Sequence, residues 1–286
     1  MIRIGPAGWS YPDWRGTVYP TKKPRLFDPL TYLASFFDTI EINSTFYRIP
    51  RASMAEGWVK KVAANSRFTF TVKLPQLFTH AREAGSSEDA AFKAGVAPLQ
   101  AAGKLGAVLL QFPYSFHHTP ATREYVRELG QRFHELRLIL EVRHGSWDRA
   151  EVYAFLEESG IGFCNIDQPR VSYSLGPTRR VTSPVGYVRL HGRNAAAWFR
   201  EDAGRDARYD YLYADEELEE IGQMAQAIAR QASDTYLITN NHFRGQAVVN
   251  ALQLQRKLGH APVEVPSHLR AIYPQLEQLT QADGDP

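Results

Sequence analysis

Eight short runs rich in β-branched and apolar residues recur along the chain, and longer amphipathic segments separate most of them. The runs are 2–8, 39–43, 67–74, 106–112, 137–143, 162–167, 185–192 and 234–241. Their near-continuous apolar character suits strands buried on both faces, as in a parallel sheet. Segments 30–38, 52–63, 87–103, 122–136, 149–160, 215–232 and 245–259 place apolar residues three or four apart and read as helices. In 122–136, for example, Tyr125, Val126, Leu129, Phe133 and Leu136 form one stripe. Gly160 and Gly259 stand where helix C-caps are expected. Segment 168–184 is interrupted by Pro, Gly and Ser, so the helix after the sixth strand is expected to be missing. This alternation predicts an α/β chain folded as one (β/α)8 TIM-barrel-like domain over residues 1–286, with 281–286 as a disordered tail. A doubly wound open sheet is the competing architecture, but no G-x-G-x-x-G follows the first strand.

Composition removes other classes. With 44% hydrophobic and 22% charged residues, the chain is neither disordered, collagenous nor a coiled coil. No apolar run approaches the roughly 20 residues of a spanning helix, so no membrane partner is expected. The opening MIRIGPAGWS has no long apolar stretch of the secretory kind. Cys164 is the one cysteine and cannot form an internal disulfide, which points to a reducing cytoplasm. Its apolar neighbours mark it as inert core.

A barrel carries its chemistry at the C-terminal ends of its strands and in the loops that follow. Taking those loops as 9–29, 44–52, 73–88, 111–121, 141–149, 167–184, 189–214 and 240–245, their charges total +8, while the whole chain is +2. The remainder is therefore −6. A basic mouth on an acidic body attracts anions such as phosphate, carboxylate or a nucleic-acid backbone. Strand ends also carry polar residues: Glu41 and Asn43, Lys73, Gln111, Glu141 and Arg143, Asp167, Arg189 and His191, Asn240 and Asn241. Same-parity pairs point the same way, so inward-facing members would converge on the mouth. The bland alternative is a plug of ion pairs such as Glu141 with Arg189, without catalysis.

Three chemistries fit these groups. Glu141, Asp167 and His191 could hold a divalent metal ion with open positions for substrate, although no H-E-x-x-H spacing supports them. Two carboxylates could act as acid and base about a glycosidic bond. Lys73 could be a desolvated amine for a Schiff base, although anion binding is the commoner use of such a lysine. Two loops are aromatic: Trp9, Tyr11, Trp14 and Tyr19 in the first, and Trp198, Phe199, Tyr209, Tyr211 and Tyr213 in the seventh. Flanked by Arg15, Arg200, Arg205 and Arg208, such rings could stack a sugar or a base, or simply pack the barrel top. His80, His117, His118, His144 and His242 lie in or beside these loops and read as structural.

Eight ordered stretches share a resemblance. GWSYPDW after the first strand, EINSTFYRIP at 41–50, FTVKLPQLFTH at 70–80, LLQFP at 109–113, EVRHGSW at 141–147, YVRLHGR at 187–193, YDYLY at 209–213 and NNHFRGQAVVNA at 240–251 resemble the YecE-like family, domain of unknown function seventy-two. The resemblance extends from the N-terminus to Leu258. It implies a single TIM-barrel-like domain loosely related to sugar isomerases, and it brings no established activity. The family's first strand usually ends in a small polar residue, where this chain has Pro6 and Ala7. Pro6 lacks a backbone donor, so disturbed ladder pairing is expected there.

These residues together describe an enzyme of isomerase or hydrolase type, acting on a small anionic, sugar-like or phosphorylated substrate. Lys73, Arg143, Arg189 and His191 would bind or polarise the anion. Glu41 or Glu141 would move a proton, with Asp167 as partner or metal ligand. Asn43, Gln111, Asn241, Trp9, Tyr11 and Trp14 would complete the substrate site. The competing readings are a nucleic-acid-directed enzyme or binder, which salt would weaken steeply, and a non-catalytic ligand sensor.

Overall fold

A computed structural model describes residues 1–22, 24–198, 200, 205–260 and 263–281. Its strands are β1 (Ile2–Pro6), β2 (Thr39–Ile42), β3 (Thr69–Lys73), β4 (Leu105–Gln111), β5 (Leu138–Glu141), β6 (Gly162–Asp167), β7 (Val185–Leu190) and β8 (Asp234–Thr239). The α-helices are α1 (Pro29–Leu33), α2 (Ala52–Lys61), α3 (Ser86–Ala101), α4 (Pro120–Arg132), α5 (Ala150–Glu158), α6 (Ala195–Trp198), α7 (Arg205–Arg208), α8 (Asp215–Ala229), α9 (Gln246–Lys257) and α10 (Ser267–Ile272). All paired strands are parallel, in the order β1-β8-β7-β6-β5-β4-β3-β2. The fold is the predicted TIM-barrel-like α/β barrel. All eight expected strands are present, and most are shorter than the sequence suggests. His191, Asn240 and Asn241 accordingly fall just beyond their strands. The short helices α6, α7 and α10 have no counterpart in the sequence reading, because four to six residues carry too little periodicity. Residues 282–286, most of the expected tail, lie outside the described residues. Among the described residues, no helix is long and apolar enough to cross a membrane.

The barrel closes at the β1–β2 seam. Ala7 bridges Glu41, and the Gly8 amide donates to the Glu41 carbonyl at 2.8 Å. Gly5 makes the approach possible, since a Cβ there would lie 1.8 Å from the Thr39 carbonyl oxygen. The Ala7 amide points to β8, donating to the Thr239 carbonyl at 2.9 Å. Position 6 therefore faces the seam, where no ladder bond is needed. The β1–β8 register runs through Pro6 opposite Thr239, so the expected disturbance by Pro6 does not occur.

No helix follows β6, as its prolines and glycine predict. Asn165 stands in for one. Its amide donates to the carbonyls of Arg180 at 2.9 Å and Tyr187 at 3.2 Å, and its oxygen accepts from the Arg180 amide at 2.7 Å and the Thr178 hydroxyl at 2.8 Å. Three of these four bonds from one buried side chain bind residues 178–180 to the outside of the sheet.

The interior of the barrel is more polar than Val/Ile/Leu layers would be. Near the N-terminal end, Thr69 and Tyr236 pair their hydroxyls at 3.2 Å. Gly106 leaves room for that tyrosine, because a Cβ would meet its hydroxyl at 2.1 Å. One layer higher, the Tyr187 and Thr71 hydroxyls pair at 2.8 Å. Alternation along β3 and β7 then carries Lys73 and Arg189 to the same inner face, under the mouth.

Candidate functional site

Arg189 is the centre of the mouth's floor. It is fully buried, and its guanidinium donates through Nη2 to Glu41 Oε1 at 2.7 Å and through Nη1 to Glu141 Oε2. Glu41 also accepts from the Tyr187 hydroxyl at 3.0 Å. Glu141 Oε1 lies 3.2 Å from Arg143 Nη2 and 3.2 Å from His191 Nε2. Strands β2 and β5 thus each deliver one carboxylate, and β7 delivers Tyr187 and Arg189, to a fork-and-carboxylate lattice. Burial alone would raise the Glu141 carboxyl, but Arg189, His191 and Arg143 outweigh it and hold it well below the usual carboxylate range. Burial pushes His191 down to about 3. Neutral His191 accepts from Asn240 Nδ2 at Nδ1 across 3.1 Å, which assigns its proton to Nε2, facing Glu141.

Lys73 stands one step above this floor. Its Nζ donates to Gln111 Oε1 at 3.0 Å and lies 3.8 Å from Glu41 Oε1. Burial, reinforced by Arg189, lowers its amine to about 8, while Glu41 and Glu141 pull the other way.

Over the floor opens a cleft with two lobes. The larger, about 520 Å3, is walled by Trp9, Tyr11, Phe46 and Trp58, with Lys73 and Asn43 at its base. The smaller, about 250 Å3, is bordered by Arg143, His80, Gln111, Tyr114 and Gln168. Tyr209 belongs to both lobes. The Lys73–Gln111 hydrogen bond joins them, one partner in each.

The structure brings most of the residues singled out from sequence together and places others apart. Glu41, Lys73, Gln111, Glu141, Arg143, Arg189 and His191 form one connected network, and Asn43, Trp9 and Tyr11 border the larger lobe. Glu41, Glu141, Arg189 and His191 have 0% relative exposure. They support the floor, and their oxygens and nitrogens face one another rather than the cleft. The ion-pair plug thus forms one layer, and the cleft lies above it as another.

Three candidates lie elsewhere. Asp167 shares the outward parity of Asn165. It takes bonds from Arg193 at 2.7–3.1 Å and from the Tyr213 hydroxyl at 2.7 Å, beside α8. Glu141, Asp167 and His191 therefore do not assemble as the expected metal set, and no other group of three His, Cys, Asp or Glu among the described residues is placed to hold a metal ion. Asn241 turns outward, donating to the Tyr211 carbonyl and to Asn250, each at 2.8 Å. Its neighbour Asn240 takes the inward place. Trp14 is fully buried, with its indole N–H on the His242 carbonyl at 2.7 Å, so it packs the loop rather than lining the cleft.

Of the seventh-loop aromatics, Tyr209 faces the cleft, Tyr211 donates to Glu217 at 2.8 Å, and Phe199 lies outside the described residues. Asn240, His242, Trp58, Met54 and Gln168 border the site and were not selected from sequence. Asn240 was legible, since it shares the parity of Tyr236. Trp58 and Met54 sit on α2 at positions that read as ordinary helix packing. Cys164 is buried, its thiol pushed up by burial, in keeping with inert core.

Comparison with known proteins places the chain in a family. The profile described as "Protein of unknown function DUF72" matches residues 3–275. The UPF0759 protein YunF of Bacillus subtilis (strain 168) is 31% identical over 269 residues, covering 89% of this chain and 93% of that protein. A DUF72 family protein from Thermotoga maritima superimposes with a TM-score of 0.79 at 33% identity, covering 90% of this chain and 99% of the other. One from Enterococcus faecalis gives a TM-score of 0.80 at 28% identity, covering 90% and 95%. The chain belongs to the DUF72 family, as its eight motifs imply.

Proposed function

We propose that the barrel mouth is the site of an enzyme acting on a small anionic, sugar-like or phosphorylated molecule. One observation carries this reading: the network has a positive charge left over, and that charge is at the cleft. Glu41 and Glu141 oppose Lys73, Arg143 and Arg189, with His191 neutral. Arg189 is consumed in the floor, whereas Lys73 and Arg143 border the two lobes. An anion beside them completes the charge balance in a partly desolvated setting. The ring wall of the larger lobe suits the apolar face of a sugar-like body. Asn43, Gln111, Gln168 and Asn240 supply the few polar groups that fix orientation.

An isomerase-type reaction fits better than hydrolysis by paired carboxylates. Glu41 and Glu141 present no exposed oxygen to the cleft, so neither reaches a glycosidic bond as acid or base. Lys73, His80 and His242 are among the cleft groups able to move a proton.

A thermal-shift panel of sugar phosphates, sugar acids, divalent metals and short oligonucleotides, at low and moderate salt, tests this. A ligand at about 100 times its Kd stabilises by roughly 2.7 kcal/mol. Salt-tolerant stabilisation by a sugar-type anion, reduced at least tenfold in affinity in Arg143→Ala, is the expected result. Stabilisation by oligonucleotides alone, fading as salt rises, would sink the reading in favour of the nucleic-acid one.

A further inference from the structure

We propose that Lys73 is a covalent anchor, condensing with the carbonyl carbon of a small ketone or aldehyde that carries a phosphate or carboxylate. This deepens the small-anion reading above and rests on it. Four features carry the inference.

Lys73 ends β3 at the junction of the lobes, lining the larger one and bonded to Gln111 of the smaller. Its amine is not locked as a cation. Glu41 has its short bond, 2.7 Å, with Arg189, and Lys73 stands off at 3.8 Å. On the side of the larger lobe the neighbours are apolar: Nζ lies 5.6 Å from the Phe46 ring centroid, and Trp58 and Met54 border the same lobe. Finally, Asn43 Oδ1 is buried at the base of this lobe with no hydrogen-bond partner among the described residues. A hydroxyl of a bound carbohydrate would supply the missing donor.

The step balances without another reagent. The lysine nitrogen forms a bond to the carbonyl carbon, and the carbonyl C–O bond breaks. The oxygen leaves as water with two of the three ammonium hydrogens. The resulting iminium keeps one hydrogen and the positive charge. Glu41 Oε1 can offset that charge, and Gln111 Oε1 can accept the remaining N–H. The anionic group of the substrate goes to Arg143 in the smaller lobe. A lowered amine helps: with Lys73 at about 8 against an ordinary 10.5, roughly 300-fold more of it is neutral at pH 7.

The test is reductive trapping on the full chain. The protein is incubated separately with dihydroxyacetone phosphate, pyruvate and uncharged dihydroxyacetone, then treated with borohydride, digested and mapped by mass spectrometry. The expected result is a borohydride-dependent adduct on Lys73, at least tenfold above every other lysine, with a charged ketone and much less with the uncharged one. The two charged probes separate a phosphate from a carboxylate preference. Trapping should rise with a midpoint near pH 8, a signature read on the wild-type protein. Lys73→Arg keeps the positive charge and should abolish trapping while still being stabilised by the anion.

Stabilisation by the charged probes without an adduct overturns the covalent step and leaves the anion site standing. Neither stabilisation nor adduct overturns both. Adducts spread evenly over the lysines also overturn the proposal, because they show no selected amine.

Discussion

Replacing Glu141 by Gln tests the two-layer description most directly. The carboxylate uses both oxygens: Oε2 accepts from Arg189, and Oε1 faces Arg143 and His191 at 3.2 Å each. A glutamine has one oxygen and one amide nitrogen. Whichever way it is turned, its N–H groups face a donor, and Arg189 loses half its neutralising charge. Breaking a buried pair by removing one partner costs about 3–5 kcal/mol. Arg189 keeps Glu41 at 2.7 Å, so the lower figure applies. At about 2.1 cal/mol/K per residue, a chain of 286 residues changes stability by about 0.6 kcal/mol per degree near Tm. Glu141→Gln should therefore melt roughly 5 °C below wild type by calorimetry at neutral pH. Arg189→Met should be worse, since it leaves two buried carboxylates facing each other across the floor. Glu141→Gln melting within 1 °C of wild type, or Arg189→Met proving the milder change, would refute the lattice as the structural floor.

Other outcomes follow from the same geometry. Acid should destabilise the fold over roughly pH 6.5 to 3. The unfolded chain takes up the His191 proton near its ordinary 6.5, while the folded chain does so only near 3, and the depressed Glu141 adds in the same direction below its ordinary 4.5. Urea midpoints across that range should fall steadily, and a flat profile would contradict the buried neutral imidazole. Asn165→Ala removes four hydrogen bonds, two of them to buried groups. It should lower stability by about 2–3 kcal/mol and open 168–184 to limited proteolysis; an unchanged cleavage pattern would show that the segment holds itself. Asp167→Asn weakens the pairing to Arg193, whose side chain is 30% exposed, so the cost should be only about 1 kcal/mol. Hydrogen exchange should quicken in 205–217, while anion affinity at the mouth changes less than twofold. A tenfold loss of affinity would return Asp167 to the site.

The barrel was legible because it is written twice, in eight apolar runs and in the amphipathic segments between them. The convergence of Glu41, Lys73, Glu141 and Arg189 was legible because strand alternation is rigid within a ladder. Alternation misled where a strand's phase was unanchored. Asp167 ends β6 in the same position as Glu141 ends β5, yet it faces the helices, as Asn165 two residues earlier does. Nothing local in GFCNID reveals which parity is inward. The choice between Asn240 and Asn241 had the same weakness. Depth was not legible either: a sequence shows that acidic and basic groups share a mouth, but not that Arg189 lies beneath Lys73 and takes the carboxylates first.

That order of depth has a chemical consequence. An amine serving as nucleophile must be neutral, while an anionic substrate raises the pKa of any amine beside it and so opposes the reaction it came for. A single basic pocket could not satisfy both demands. Here Arg189 takes the short carboxylate contacts and leaves Lys73 with a distant one at 3.8 Å, so burial, with Arg189, holds its amine down to about 8. Arg143, permanently charged, borders the other lobe. A substrate anion held there keeps its charge on the far side of the Lys73–Gln111 hydrogen bond, while its carbonyl enters the larger lobe. Moving the anchor into the larger lobe, as in Arg143→Ala combined with Asn43→Lys, should raise the trapping midpoint of Lys73 once an anion is bound there. A midpoint that stayed near 8 with the anion bound in that lobe would show that the division between the two lobes does not govern the amine.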